Sequence, residues 1–140
     1  MIEHLLVPHD LTERSDAGLG AASALGAAIG TLHVVHVLAR IDPTTPGVVW
    51  PRDEDTRRTE HARTALTARL RGTPYAGAIV HVKVGDPASR IVELAREIGA
   101  GLIVVPSHSR TGLPRLVLGS VAEHVARFAP CPVLVLPAGA

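Results

Sequence analysis

Cysteine occurs once in the 140 residues, as Cys131, which excludes an internal disulfide framework and any CxxC-type zinc or redox motif. That fits a reducing compartment, with the cytoplasm as the default. Lysine also occurs once, as Lys83. Net charge is nearly absent: 14 Lys plus Arg stand against 13 Asp plus Glu, a formal +1, so no uniform field draws the chain to nucleic acid or to anionic lipid. No apolar run approaches the roughly 18 residues of a membrane-spanning helix, and the apolar stretch within Met1–Asp10 is too short for the core of a signal peptide. A soluble protein is the expectation, with neither a membrane nor a nucleic acid as partner. The length suits one domain, residues 1–140 together, and is enough to bury a two- or three-layer core.

What the chain does contain is a regular alternation of short apolar runs and helical stripes. Leu5-Leu6-Val7, closed by Pro8, reads as a buried strand. Ser15 to Ile29 is rich in Ala and Leu, with Leu19, Ala22 and Ile29 on one stripe, and reads as a helix ended by Gly30. The β-branched run Leu32 to Leu38 is a second strand. Asp42 to Pro51 holds three prolines and reads as a surface loop, and Arg52 to Arg71 as an exposed helix closed by Gly72 and Pro74. Ala78 to Val84 is a third strand. Asp86-Pro87 then supplies an N-cap and a first-turn proline for the stripe Ala88, Ile91, Val92, Ala95 and Ile98. A fourth strand at Leu102–Val105, a fourth helix at Ser120–Phe128 and a fifth strand at Val133–Leu136 complete the series. Strands joined by helical crossovers must be parallel, so the prediction is an α/β, doubly wound five-stranded parallel sheet with helices on both faces. Ligands of such folds sit at the carboxyl ends of the strands, where strand order reverses.

Four loops meet at that face: Pro8-His9-Asp10, the proline-rich loop after Leu38, Gly85-Asp86, and the segment from Pro106 to Leu118. The last is the most informative. Its Ser107, Ser109, Arg110, Thr111, Gly112 and Arg115 run into Gly119-Ser120 at a helix start, a composition suited to cradling an anion. Ser120 followed by Glu123 also reads as a capping box that merely satisfies the first turn. The pattern supports both readings equally. Arg110 and Arg115 have the charge to reach a phosphate, or simply to solubilise a loop, and Asp10 could equally cap the first helix.

The same segment carries a family resemblance. Arg110-Thr111-Gly112, Gly119-Ser120-Val121-Ala122-Glu123 and Ala129-Pro130-Cys131-Pro132-Val133-Leu134-Val135, with Leu5-Leu6-Val7-Pro8, Asp10 and Val84-Gly85-Asp86-Pro87-Ala88 before them, resemble the universal stress proteins along essentially the whole chain. The resemblance implies a strand order of 3-2-1-4-5, a homodimer, and, in one branch, ATP, with or without Mg2+, at the switch point between strands 1 and 4. That branch has Gly, two residues, Gly, nine residues, then Gly with Ser or Thr; here Gly119-Ser120 and the nine-residue spacing match, while Pro106 and Ser109 replace the two earlier glycines. Proline has no N–H to offer, and both replacements carry a Cβ where the branch keeps the backbone bare. Carried over by position, Asp10 and Val37 contact adenine, Pro8 walls the pocket, Ser109 lies under ribose and phosphates with Arg110 and Gly112 beside it, and Gly119, Ser120 and Val121 hold phosphate.

Other residues carry less. His33 and His36 resemble a ligand pair, but their odd spacing on a strand sends them to opposite faces. His9 and His108 share the loop face without a cysteine or carboxylate set to complete a zinc site. Cys131 reads as a small buried hydrophobe, and Trp50 as a lid residue or a bystander in its loop. A flavodoxin's hydroxyl-rich first loop, a response regulator's acidic cluster and last-strand lysine, and a nucleotidyl transferase's glycine or histidine elements are all missing from the sequence. No general base with a partner can be named, so a non-enzymatic role is expected. Two readings stand: a regulatory module binding an adenine nucleotide, and a dimeric scaffold of the same family that binds none. In both, Val133–Leu136 is a sheet edge predicted to pair with a second copy.

Overall fold

The computed structural model describes residues 1–25, 28–40, 53–107 and 119–136. Nine elements alternate along them: β1 (Ile2–Pro8), α1 (Glu13–Ala24), β2 (Ile29–Leu38), α2 (Glu54–Leu70), β3 (Ile79–Val84), α3 (Pro87–Ile98), β4 (Leu102–Pro106), α4 (Ser120–Phe128) and β5 (Val133–Leu136). The strands form one sheet in the order β3-β2-β1-β4-β5, every neighbouring pair parallel. The doubly wound α/β sheet expected from the sequence is therefore present, with its order.

Burial on both sides explains the uninterrupted apolar text of the central strands. Leu5, Leu6 and Val7 are all fully buried although successive side chains point to opposite faces. Leu6, Val35, Ile103 and Val105 pack under α3 and α4, against Ile91, Val92, Leu94, Ala95, Ala122 and Val125. Leu5, Val7, Val34 and Val104 pack under α1 and α2, against Leu19, Ala22, Leu66 and Leu70. Each large side chain buried this way contributes about 1.5–3 kcal/mol.

α3 begins and ends as its sequence dictates. The Asp86 carboxylate accepts a hydrogen bond from the Ser89 N–H at 3.0 Å, Pro87 opens the first turn, and Gly99 closes the helix in the left-handed region at φ 65°. α1 departs from expectation. It stops at Ala24, and Ile29 and Gly30, read as its end, belong to β2. The physical reason is close backbone approach: a Cβ on Gly30 would stand 2.8 Å from the Glu3 carbonyl oxygen of β1, so this glycine serves strand pairing rather than helix termination.

Candidate functional site

β1 lies between β2 and β4; α1, which leaves β1, and α3, which leads into β4, cover opposite faces of the sheet, and a cleft opens where they diverge. A cavity of about 250 Å³ occupies it. Its floor and sides are apolar, formed by Pro8 of β1, Val35 and Val37 of β2, Val105 and Pro106 of β4, and Pro87 and Ile91 of α3. Gly119, Ser120, Val121 and Ala122, the first turn of α4 and its cap, close one end, and His9, Asp10, Ser15 and His36 line the other. The structure thus brings together Pro8, Asp10, Val37, Gly119, Ser120 and Val121 from the sequence reading. Ser109, Arg110 and Gly112 lie outside the described residues, as do His108, Arg115 and Trp50.

The loop from β1 to α1 is held by a dense set of bonds. The His9 backbone extends the sheet by one bond, its N–H donating to the Val35 carbonyl at 2.8 Å, while its own carbonyl accepts from His36 Nδ1 at 2.8 Å. The buried His9 ring accepts the Leu11 N–H on Nδ1 at 2.9 Å, which leaves the proton of the neutral ring on Nε2, donating to Asp16 at 2.8 Å. Leu11 sits at φ 66°, a left-handed conformation that costs a leucine about 1 kcal/mol and that this bond helps to hold. Both nitrogens of His9 are committed, so the His9–Asp16 pair is a brace, not an acid–base dyad.

Asp16 carries the brace onward to α2, accepting from Arg69 Nε at 3.3 Å and Nη2 at 3.1 Å. Desolvation alone would raise the Asp16 carboxyl, but the hydrogen bonds from Arg69 and His9 outweigh it and hold it below its ordinary 3.8. Asp10 acts within the loop as well: one of its oxygens accepts from the Thr12 N–H at 3.0 Å and from the hydroxyls of Thr12 and Ser15. Thr12, not Asp10, is the N-cap of α1 and makes no side-chain cap bond, so Asp10 does not cap the helix; it ties the turn before α1 and also lines the cavity.

The opposite end is built differently from the capping-box reading. Gly119, not Ser120, is the N-cap of α4; it makes no side-chain cap bond, and Ser120 is the first, exposed residue of the helix. The stabilising side chain comes instead from the residue that follows β4. Ser107, 2% exposed, accepts the Gly119 N–H on its hydroxyl at 3.3 Å while its own N–H donates to Leu136 of β5 at 2.7 Å. No local sequence pattern marks Ser107 for this role, which depends on two segments meeting across twelve residues. The N–H groups of the first turn of α4 have no acceptor inside the helix, and they sum with the helix dipole into a positive end facing the cavity. An apolar slot with such an end suits a flat, weakly polar ring joined to an anion.

Within the described residues no group of three or more His, Cys, Asp or Glu converges to hold a metal ion. No described helix is long and apolar enough to cross a membrane. His33 and His36 do face opposite sides of the sheet, as their spacing required: His36 joins the β1–α1 loop, whereas His33 bonds to histidines of β1 and β3.

The sequence profile of the universal stress protein family matches residues 1–137. The chain belongs to the universal stress protein family. Universal stress protein A homolog 1 of Coxiella burnetii is 32% identical over 139 residues, covering 96% of this chain and 95% of that protein. A universal stress protein of Mycolicibacterium smegmatis is 36% identical over 119 residues, 82% of this chain but 37% of its own length. Universal stress protein MJ0531 of Methanocaldococcus jannaschii is 48% identical over 62 residues, and that match likewise spans little more than a third, 36%, of the relative. Among solved structures, MJ0577 superposes with a TM-score of 0.76 at 25% identity over 99% of this chain and 97% of its own. A universal stress protein in complex with cAMP shares the fold, with a TM-score of 0.62 at 23% identity over 96% of this chain and 97% of its own.

Proposed function

We propose that this protein is a non-enzymatic, cytoplasmic regulatory module that binds an adenine nucleotide, ATP in the first instance, at the carboxyl ends of β1 and β4. The single observation carrying this reading is the union of an apolar slot between Pro8, Val37 and Ile91 with the amino-terminal turn of α4 in one cavity. A purine fits between the apolar walls, and phosphate oxygens meet the N–H groups of Ser120 and Val121, beside Gly119. The family supports the reading, since one structural neighbour is a complex with cAMP. Ser109, Arg110 and Gly112 complete the phosphate side in this proposal, with Mg2+ accompanying a triphosphate. The working unit is a homodimer paired through β5, where Leu134 is 40% exposed.

Calorimetric titration with Mg-ATP and with AMP tests the proposal, comparing the wild type with Ser120→Glu. Glutamate suits the first turn of a helix, so the variant should fold, yet its carboxylate opposes phosphate at the cavity. Micromolar binding by the wild type, weakened at least tenfold by the substitution, is expected. Absence of heat at millimolar nucleotide would overturn the reading in favour of a dimeric scaffold without nucleotide, for which Pro106, a cavity-lining residue with no N–H, is the structural argument.

A further inference from the structure

Away from the cavity, three histidines from three adjacent strands form a hydrogen-bonded chain. His4 Nδ1 lies 3.0 Å from His33 Nε2, and His33 Nδ1 lies 2.9 Å from His81 Nε2. The ring centroids are 5.2 Å apart in both pairs. His33, in the middle, is 4% exposed, while its two neighbours are half-buried. By strand alternation it stands on the same face as Val35 and Val37, the side that α3 and α4 cover.

Counting protons across the two contacts limits what this chain can hold. Each nitrogen-to-nitrogen bond needs one N–H and one lone pair. With all three rings neutral, His33 donates to one neighbour and accepts from the other, and both bonds are made. One additional proton is also accommodated: on His33 it creates two donors facing two lone pairs, and on either outer ring it selects the matching His33 tautomer. A second proton cannot be placed without setting two N–H groups against each other at about 3 Å, and on adjacent rings it also sets two like charges about 5 Å apart. We propose that His4, His33 and His81 form an acid-sensing element that keeps β1, β2 and β3 bonded while it holds no more than one extra proton and releases them at the second.

The surroundings favour the neutral state. Burial first, then His81 and His4, push the His33 imidazole below its ordinary 6.5. Burial, then Lys83 on the same strand and Arg63 from α2, push His81 down as well, while Glu97 from α3 acts in the opposite sense. Groups depressed in the folded state contribute their full stability above 6.5 and lose it as pH falls below that value, because the unfolded chain then binds more protons. β3, an edge strand bonded on one side only, is the element released most readily.

Two measurements on the full chain test this. Nitrogen-15 NMR of the wild-type imidazoles between pH 8 and pH 4 should show the three rings titrating as a coupled set, one proton entering with the cross-ring bonds intact and the next entering at lower pH together with loss of β3 amide protection. Urea unfolding should show the wild-type folding constant falling at least tenfold from pH 7 to pH 5, with a smaller fall in His33→Gln and His81→Gln; glutamine still offers one donor and one acceptor but takes no proton. His36→Gln, outside the chain, should keep the wild-type pH dependence. Three independent titrations near 6.5, or the same pH dependence in wild type, His33→Gln and His81→Gln, would overturn the proposal.

Discussion

Replacing His9 in two ways separates the bonds that brace the cavity wall. Asparagine places its amide oxygen near the position of Nδ1 and can still accept the Leu11 N–H; glutamine places its amide nitrogen near Nε2 and can still donate to Asp16. The bonds are not of equal worth. Without an acceptor, the part-buried Leu11 N–H, which sits on a backbone already at φ 66°, costs about 1–3 kcal/mol. The bond to Asp16 joins a carboxylate that is 46% exposed and keeps Arg69 as partner, so its loss costs about 0.2–1 kcal/mol. Both substitutions lose similar ring packing, which cancels in the comparison. His9→Asn should therefore be the more stable variant by about 1 kcal/mol, or about 0.5 M in urea midpoint for an m-value near 2 kcal/mol/M. Urea unfolding followed by circular dichroism reads the difference, and hydrogen exchange at the Leu11 amide, faster in His9→Gln, identifies its source. Equal midpoints, or a glutamine variant the more stable of the two, would refute the assignment of the Leu11 bond as the dominant brace.

Two glycines should respond in opposite directions. Gly20, exposed inside α1 with nothing within 4 Å of an added Cβ, should gain about 0.5–1 kcal/mol as Gly20→Ala, whereas Gly30→Ala, forced to 2.8 Å from the Glu3 carbonyl, should lose about 1–3 kcal/mol, both read from thermal melts. Arg69→Gln should raise the Asp16 carboxyl toward its ordinary 3.8 in a carboxyl NMR titration. Because the folded value is depressed, the wild type carries stability that is complete above 3.8 and lost as pH falls through the lower folded value; the variant should lack most of this acid-side dependence, and an unchanged Asp16 titration would remove Arg69 as its cause.

The parts of the fold that were legible in the sequence are those whose signals are local. α3 was written within fourteen residues by Asp86, Pro87, a 3.6-period stripe and Gly99. Strand order came with the family resemblance rather than with any pattern in the strands themselves. The start of β2 is not legible locally because Gly30 has two physical uses, helix termination and close backbone approach, and only the position of Glu3 decides between them. Six candidate site residues met at one cavity because they sit at strand and helix ends, which topology gathers. The cap of α4 by Ser107 and the histidine chain were hidden for the opposite reason. They depend on register between segments 12, 29 and 48 residues apart, which no single strand records.

The two borders of the sheet differ in what they can accept. On β3, Arg63 reaches from α2 to donate to the Val80 carbonyl at 2.8 Å, and Lys83 adds a second positive charge along the same strand. A strand blocked by arginine and flanked by lysine is a poor template for another copy. β5, at the far border, is short and apolar. Linear growth of stacked sheets needs two receptive ends on every molecule, and here one end is closed by a cation. In the homodimer proposed above, joining through β5 would use up the only receptive border among the described residues of both molecules, and the sheet would stop at ten strands instead of extending into a fibre.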